Sequence, residues 1–369
     1  MRLIAFAVAP LMVLACSEQS ARTRAERAPV VEMSEQARVE MLRVNASRLS
    51  MEIPAQLVQP EPSEPAAAAG AAQPAEPDYD GGLVRIQTLL DRAHFSPGVI
   101  DGHDGENVRK AVAAYQRANG LPEDGRATDA LLRQLEEADG AQALVAYVLT
   151  EADISGPFVD VPESMQAQSR LRHLGYENAT EAVAEKFHMD EDLLRTLNPG
   201  VDFTRAGVEI VVANAGGGLS GQVARIEIDK DALTLRAYDA SDRMLAFYPV
   251  TIGAGNTPSG ELEITGVHFD PTYNYDADEL PSFNDSSGRE FQIKPGPNNP
   301  VGLVWMALNR DGYGIHGTPN PSLISKTSSH GCIRLTNWDA VELASVVQAG
   351  VPVQFLEGGA QVRRETSRG

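Results

Sequence analysis

This 369-residue chain has almost no cysteine: there are two, Cys16 and Cys332, far apart. That count argues against a disulfide-stapled scaffold. Basic residues are in deficit, 31 Lys and Arg against 51 Asp and Glu, for a net charge of −20 and a pI near 4.7. So acidic a chain repels phosphates, which argues against nucleic-acid binding and against a basic membrane-surface role. The apolar run Leu3 to Leu14 is about a dozen residues, too short to span a bilayer well. No C-x-x-C or H-E-x-x-H pair is present to seed a metal site. What remains is ordinary globular material, 43% hydrophobic, with 32 Gly and 23 Pro to make turns and at least one linker. At about 150 residues per domain, the length allows two or three domains.

The apolar run follows Met1-Arg2 and suits the core of a signal peptide over residues 1–15. Val13-Leu14-Ala15-Cys16 resembles a lipoprotein processing site, which implies that Cys16 is lipidated as the first residue of the mature protein. Ser17 in place of Asp then implies the outer membrane, with the body of the chain in the periplasm. An ordinary exported protein cleaved elsewhere is the alternative. In an oxidising compartment stray thiols tend to be oxidised or paired. With Cys16 lipidated, Cys332 is the one thiol left, and it needs a reason to persist.

Residues 16–80 read as a stalk and linker. Glu35 to Leu49 has a helical pattern, and Pro54 to Tyr79 is rich in Pro, Ala and Glu, which reads as an extended spacer that would give an anchored body reach. Residues 81–140 carry three helical faces: Leu83, Ile86, Leu89 and Leu90; then Val108, Ala111, Val112 and Tyr115; then Thr128 to Leu135. With Pro97-Gly98-Val99-Ile100-Asp101-Gly102 and Asp124-Gly125, this resembles the three-helix peptidoglycan-binding domain. His94 is expected to be solvated or packed, and His103 is given no ligand role. Ala141 to Phe158 reads as a connector. Residues 160–215, with Leu193-Leu194, Asn198-Pro199-Gly200 and the strand-like Val208 to Val212, resemble a diverged LysM-like module, a βααβ glycan-binding unit. Gly216-Gly217-Gly218 is a flexible joint. From 222 to 357 the pattern alternates as strands do, at Ile226-Ile228, Leu233-Leu235 and Tyr248-Val250-Ile252, with one good helix over Asn337 to Gln348. Trp338 is expected in the core at that helix start. His268 to Arg289 is a candidate flap, and 358–369 is a tail. The fold class expected is multidomain α+β: a three-helix domain, a small LysM-like α/β module, and a C-terminal β-rich sandwich with one helix.

The chemistry gathers around Cys332. His316 stands sixteen positions before it (316 to 332) and His330 two before it, each followed by glycine, at Gly317 and Gly331. A thiol needs a nearby base to become a nucleophile, and imidazole is the usual one. A strand ending at His316 and a turn presenting Cys332 would bring the two side by side. A buried structural cysteine and a zinc site of His316, His330 and Cys332 are the competing readings. Ile315-His316-Gly317-Thr318 followed by Ser329-His330-Gly331-Cys332-Ile333-Arg334 resembles the signature of the L,D-transpeptidases of bacterial cell walls. Thr257-Pro258-Ser259-Gly260 and Pro295-Gly296-Pro297-Asn298-Asn299-Pro300-Val301-Gly302 agree with it in order, with Val301 where the family usually has Leu.

That resemblance implies Cys332 as nucleophile and His316 as base, oriented through the backbone carbonyl of Gly317. Backbone N–H groups at Gly331 and Cys332 are candidates for the oxyanion hole. Ser329 and His330 shape the turn and the acceptor side, and Tyr313 lines the cleft. Arg334 is suited to a substrate carboxylate, with a structural salt bridge as the alternative. The reaction implied is acyl transfer on peptidoglycan stem peptides, with release of D-alanine. The acceptor is a second stem, a wall-attached protein, or water in a carboxypeptidase. No metal or other cofactor is called for. The expected partners are stem peptides and glycan, with the membrane reached through a lipid anchor. A non-catalytic lipid-tethered peptidoglycan anchor is the rival from another class.

Overall fold

The computed structural model describes residues 30–48, 78–140, 142–253, 258–275, 290–327 and 331–356. The expected signal peptide 1–15, Cys16, Ser329, His330, residues 276–289 of the expected flap and the tail 358–369 lie outside the described residues. No helix among the described residues is long and apolar enough to cross a membrane.

Helix α1 (Glu35–Ala46) starts where the Ser34 side chain accepts from the Ala37 N–H. It is no free stalk. Ala37 and Val44 are fully buried, and Asn45 accepts from the N–H groups of Ala143 and Leu144 while donating to the Leu144 carbonyl. The stalk expected over 16–80 is therefore corrected at 31–48, which belongs to the body. Residues 54–77 of the expected Pro/Ala-rich spacer lie outside the described residues. Arg85 donates to the Ser47 carbonyl at 2.7 Å, and Gly82 lies against the Arg48 carbonyl. Residues 47 and 48 are thus neighbours of the start of the helix that follows.

Helices α2 (Gly81–Arg92), α3 (Glu106–Ala118) and α4 (Asp129–Asp139) form the first unit, as their periodicity predicts. Asp80 and Thr128 cap α2 and α4, and Leu83, Ile86, Leu90, Val112, Tyr115 and Leu135 make the core. The second unit pairs β1 (Leu144–Val148) antiparallel with β2 (Glu209–Ala213). Between them lie the short helices α5 (Glu151–Ile154) and α6 (Met165–Gln168), then α7 (Ala179–Lys186) and α8 (Glu191–Leu197). The first strand thus falls in the expected connector, before the expected start at 160. An apolar run shows its strand character only when a distant partner supplies the ladder. Asn198, 2% exposed, ties α8 to β2: its amide donates to the carbonyls of Leu194 and Val211 and its oxygen accepts from Val211. Gly216, the first residue of the expected joint, is packed against Arg92.

The third unit holds β3 (Arg225–Asp229), β4 (Thr234–Tyr238), β5 (Met244–Pro249), β6 (Thr251–Ile252), β7 (Gly260–Phe269), β8 (Tyr273–Tyr275), β9 (Phe291–Ile293), β10 (Val304–Leu308), β11 (Gly314–His316), β12 (Ile333–Arg334), α9 (Asn337–Val346) and β13 (Pro352–Leu356). Nine strands form one sheet in the order β5-β4-β3-β13-β7-β10-β11-β12-β6. Only Val250 separates β5 from β6, yet they stand at opposite ends of that order. The sheet must therefore curl until its two edges meet. The expected β-rich sandwich with one helix is seen as a nearly closed sheet whose opposite walls enclose Ile226, Leu235, Tyr248, Met306, Ile315 and Val353.

Backbone hydrogen bonds join the three units in a triangle. The chain at 94–96 runs along the edge strand β5, with Phe247 N–H donating to the His94 carbonyl and Ser96 N–H to the Phe247 carbonyl, each 2.9 Å. Covering an edge strand in this way removes a pairing hazard. Ile100 bridges to His188 and Asp190 of the second unit, and Leu174 bridges to Pro295 and Asn298 of the third. Helix α9 lies where the units converge. Its Trp338 is buried, as expected, and stacks on His188 at 5.1 Å, while its Glu342 meets His94 at 2.7 Å. Gly296 has φ +145°, and a Cβ there would lie 2.0 Å from the Leu174 carbonyl oxygen. Gly296→Ala is expected to destabilise the protein by about 2 kcal/mol or more, because it adds a left-handed penalty to a backbone clash. Scanning calorimetry checks this; an unchanged midpoint would show that the 174–298 contact carries no stability.

Candidate active site

Strand pairing explains how His316 and Cys332 come together. Strand β11 runs parallel to β12, with Ile315 opposite Ile333 and His316 opposite Arg334. Extending the register outward gives two adjacent rows across five strands. One row is Val267, Met306, Ile315, Ile333 and Ile252; the other is His268, Trp305, His316, Arg334 and Thr251. Side chains alternate faces along a strand, so the two rows point opposite ways. Met306, Ile315 and Ile333 are fully buried in the core of the sheet. Burying that row obliges the second row to face outward. Cys332, two residues before Arg334, shares its face.

The His316 ring is 3% exposed, with Nδ1 2.7 Å from the Gly317 carbonyl oxygen. A carbonyl only accepts, so Nδ1 carries the proton and Nε2 is left as the basic nitrogen. Trp305 stacks on the ring at 5.4 Å and 22°, its indole lying across Gly314 where a side chain would collide. Burial, with help from the Arg334 charge, pushes the imidazole down to about 3, against the pull of the Gly317 carbonyl. Burial pushes the Cys332 thiol up, opposed by a backbone hydrogen bond from Gly314 and by Arg334. Its Sγ also lies 3.5 Å from the Gly312 carbonyl oxygen. The resting pair is therefore neutral imidazole and neutral thiol.

Arg334 is partly buried, which pushes its pKa down, while Cys332 and Tyr273 favour its charge. Among the described residues no carboxylate pairs with it, so the salt-bridge alternative finds no partner there. Tyr313 packs on Gly331, its Cε1 3.0 Å from the position of an added Cβ, and Gly331 has φ +131°, which favours glycine. Gly317 has Asn337 Oδ1 2.3 Å from where a Cβ would sit. The structure thus brings together Cys332, His316, Gly317, Gly331, Arg334 and Tyr313. Ser329, His330 and Cys16 are not described. Among the described residues no group of three His, Cys, Asp or Glu is placed to hold a metal.

Three residues near the site were not legible in the sequence. Tyr273 feels both Cys332 and Arg334, and burial pushes its phenol up to about 12. Trp305 and Asn337 read as strand and helix residues, and only the register and the docking of α9 set them beside His316. A thiol, a base with a fixed tautomer and a guanidinium with no carboxylate partner among the described residues suit acyl transfer from a substrate bearing a carboxylate.

The family models and the sequence relatives agree with that chemistry. The family model for the L,D-transpeptidase catalytic domain matches residues 223–355, and a peptidoglycan binding domain model matches residues 80–135. A Bacillus licheniformis protein named as L,D-transpeptidase YkuD is 32% identical over 182 residues, covering 47% of this chain and 92% of that protein. An Escherichia coli K12 protein named as L,D-transpeptidase YbiS is 26% identical over 234 residues, covering 59% of this chain and 73% of that one. A solved L,D-transpeptidase structure from Mycobacterium smegmatis is 20% identical with a TM-score of 0.29; the match covers 41% of this chain and 63% of that one.

The neutral resting pair has a measurable signature. Alkylation of Cys332 by iodoacetamide is expected to be slow near neutral pH and to rise through one alkaline step, above the ordinary thiol value of about 9. Fast alkylation on a plateau between about pH 4 and pH 8 would instead reveal a thiolate–imidazolium pair and contradict the geometry.

Proposed function

Because this chain belongs to the L,D-transpeptidase family, whose members are cysteine transpeptidases acting on peptidoglycan, we propose that Cys332 is its nucleophile and His316 its general base. The observation that supports this reading is the β11–β12 register, which sets His316 beside Arg334, the residue whose charge also acts on Cys332 just before β12. His316 Nε2 takes the thiol proton as sulfur attacks the carbonyl of the third residue of a tetrapeptide stem. The C–N bond to the terminal D-alanine breaks, and the imidazolium returns the proton to the leaving amine. A thioester on Cys332 remains. An acceptor amine then attacks the thioester, loses its proton to His316 and regenerates the thiol.

Generating charge in a buried site favours a base that starts neutral, and His316 does so with one tautomer. Backbone N–H groups at Gly331 and Cys332 serve the oxyanion, where losing one donor typically costs ~3 kcal/mol. Arg334 holds a substrate carboxylate, and Tyr273 and Tyr313 wall the cleft. Ser329 and His330 shape its acceptor side. The acceptor is a second stem or a protein attached to the wall; water in its place makes the enzyme a carboxypeptidase.

The first unit supplies peptidoglycan binding. The second reads as a LysM-like glycan module, supported by its β1-α7-α8-β2 frame and by the Asn198 clasp. Lipidated Cys16 anchors the chain to the outer membrane.

Cys332→Ala is expected to abolish release of D-alanine from disaccharide-tetrapeptide, by about 10³-fold or more, while pull-down by insoluble peptidoglycan is retained. Intact mass of the wild type with that substrate should show an adduct on Cys332. A folded wild type with an unmodified thiol and unchanged muropeptides would move the reading to a wall anchor. Cys16→Ala is expected to shift the protein from the membrane to the soluble fraction, and unchanged fractionation would refute the lipid anchor.

A further inference from the structure

Glu185 lies on α7 in the second unit, 8% exposed, far in sequence from the thiol. Both its carboxyl oxygens stand 3.2 Å from Asn337 Nδ2, the first residue of α9 in the third unit. The same amide nitrogen donates to the Pro297 carbonyl at 3.1 Å, and Oδ1 accepts from Leu303 N–H at 3.1 Å. Asn337 is 1% exposed with its polar atoms engaged, so its orientation is fixed. Its Oδ1 bears directly on Gly317, leaving no room for a Cβ. The Gly317 carbonyl is the group that fixes the tautomer of His316. Leu303, held by the same oxygen, leads into the strand that carries Trp305.

We propose that Glu185 is a positioning residue for the transferase reaction, holding Asn337 against Gly317 and thereby holding His316 in its productive tautomer. The inference rests on the proposed roles of His316 and Cys332 and adds a part played by another unit. A carboxyl is an expensive group to bury unless its acceptor oxygens are needed. The groups facing Glu185 are Tyr176, whose hydroxyl lies 3.4 Å from Oε2, Glu181 on the same helix, His188 beyond its end, and Asn337. His188 is engaged by Asp91 at 2.8 Å, which leaves Glu185 to the amide. Burial pushes Glu185 up to about 8, so it is mostly the neutral acid at pH 7 and glutamine is its close isostere.

The test uses the full chain as wild type, Glu185→Gln and Glu185→Ala. Nitrogen-15 NMR of the His316 ring reports its tautomer without substrate, and kcat and KM are measured with disaccharide-tetrapeptide. Wild type and Glu185→Gln are expected to show the single Nδ1–H tautomer and kcat values within about threefold at pH 7. Glu185→Ala is expected to show a tautomer mixture and a kcat about 10- to 100-fold lower, with KM within about twofold. A folded Glu185→Ala with the wild-type tautomer overturns the proposal. If Glu185→Ala does not fold, Glu185→Met decides: it fills similar space without an acceptor, and a folded Glu185→Met with the wild-type tautomer and kcat overturns the proposal. A wild type without turnover sinks the functional reading alone, since the tautomer measurement needs no substrate.

Discussion

The parallel pairing of two very short strands, β11 and β12, is the constraint on which the site depends. It matches Ile315 to Ile333, and both side chains are fully buried. Burying one such side chain is worth about 1.5–3 kcal/mol, so a slip of one residue would be costly. The slip would also turn His316, Arg334 and Cys332 into the core. The hydrophobic effect on the neighbouring row thus sets the direction in which His316 and Arg334 point. Helix α9 then fills the space behind Gly317, and its Asn337 reaches the second unit.

Burial also sets the electrostatics. It drives the imidazole down to about 3 and the thiol up, so neither resting group carries charge. Transferring a proton between them creates two charges where there were none. On the proposed reading, that transfer is coupled to attack on the substrate, and Arg334 offers a fixed positive charge beside it. A buried base with a wrong tautomer would present a proton to the thiol instead of a lone pair. The bond from Nδ1 to the Gly317 carbonyl prevents that, which makes the support of Gly317 matter chemically.

The three units are joined to one another and not strung along a tether. Each pair shares backbone hydrogen bonds, at 94–96 with 247, at 100 with 188–190, and at 174 with 295–298. Helix α1 belongs to the same body, because residues 47 and 48 at its end lie against Gly82 and Arg85. On the proposed reading, a peptidoglycan-binding unit fixed to the catalytic sheet would hold the polymer in a set relation to the thiol. A polymer bound in that way meets the thiol at high effective concentration, without the entropy of a free linker.

Much of this was legible in the residues. Helical spacing marked α2, α3 and α4, alternation marked the strands around Ile226, Leu235 and Tyr248, and the two His-Gly pairs with Cys332 marked the site. These signals are local: each depends on a period, a turn residue or a short motif, which neighbouring residues carry. Register, closure and docking are not local. Which strand stands beside β6, which ring covers His316, that β1 belongs to a unit beginning at 144, and that Glu185 reaches Asn337 all depend on residues distant in sequence. What could be read from residues alone was the chemistry on offer, the Cys332 thiol with His316 and His330 near it in the chain. Tertiary structure decided their state and their support, because burial and cross-strand register exist only once the chain has folded.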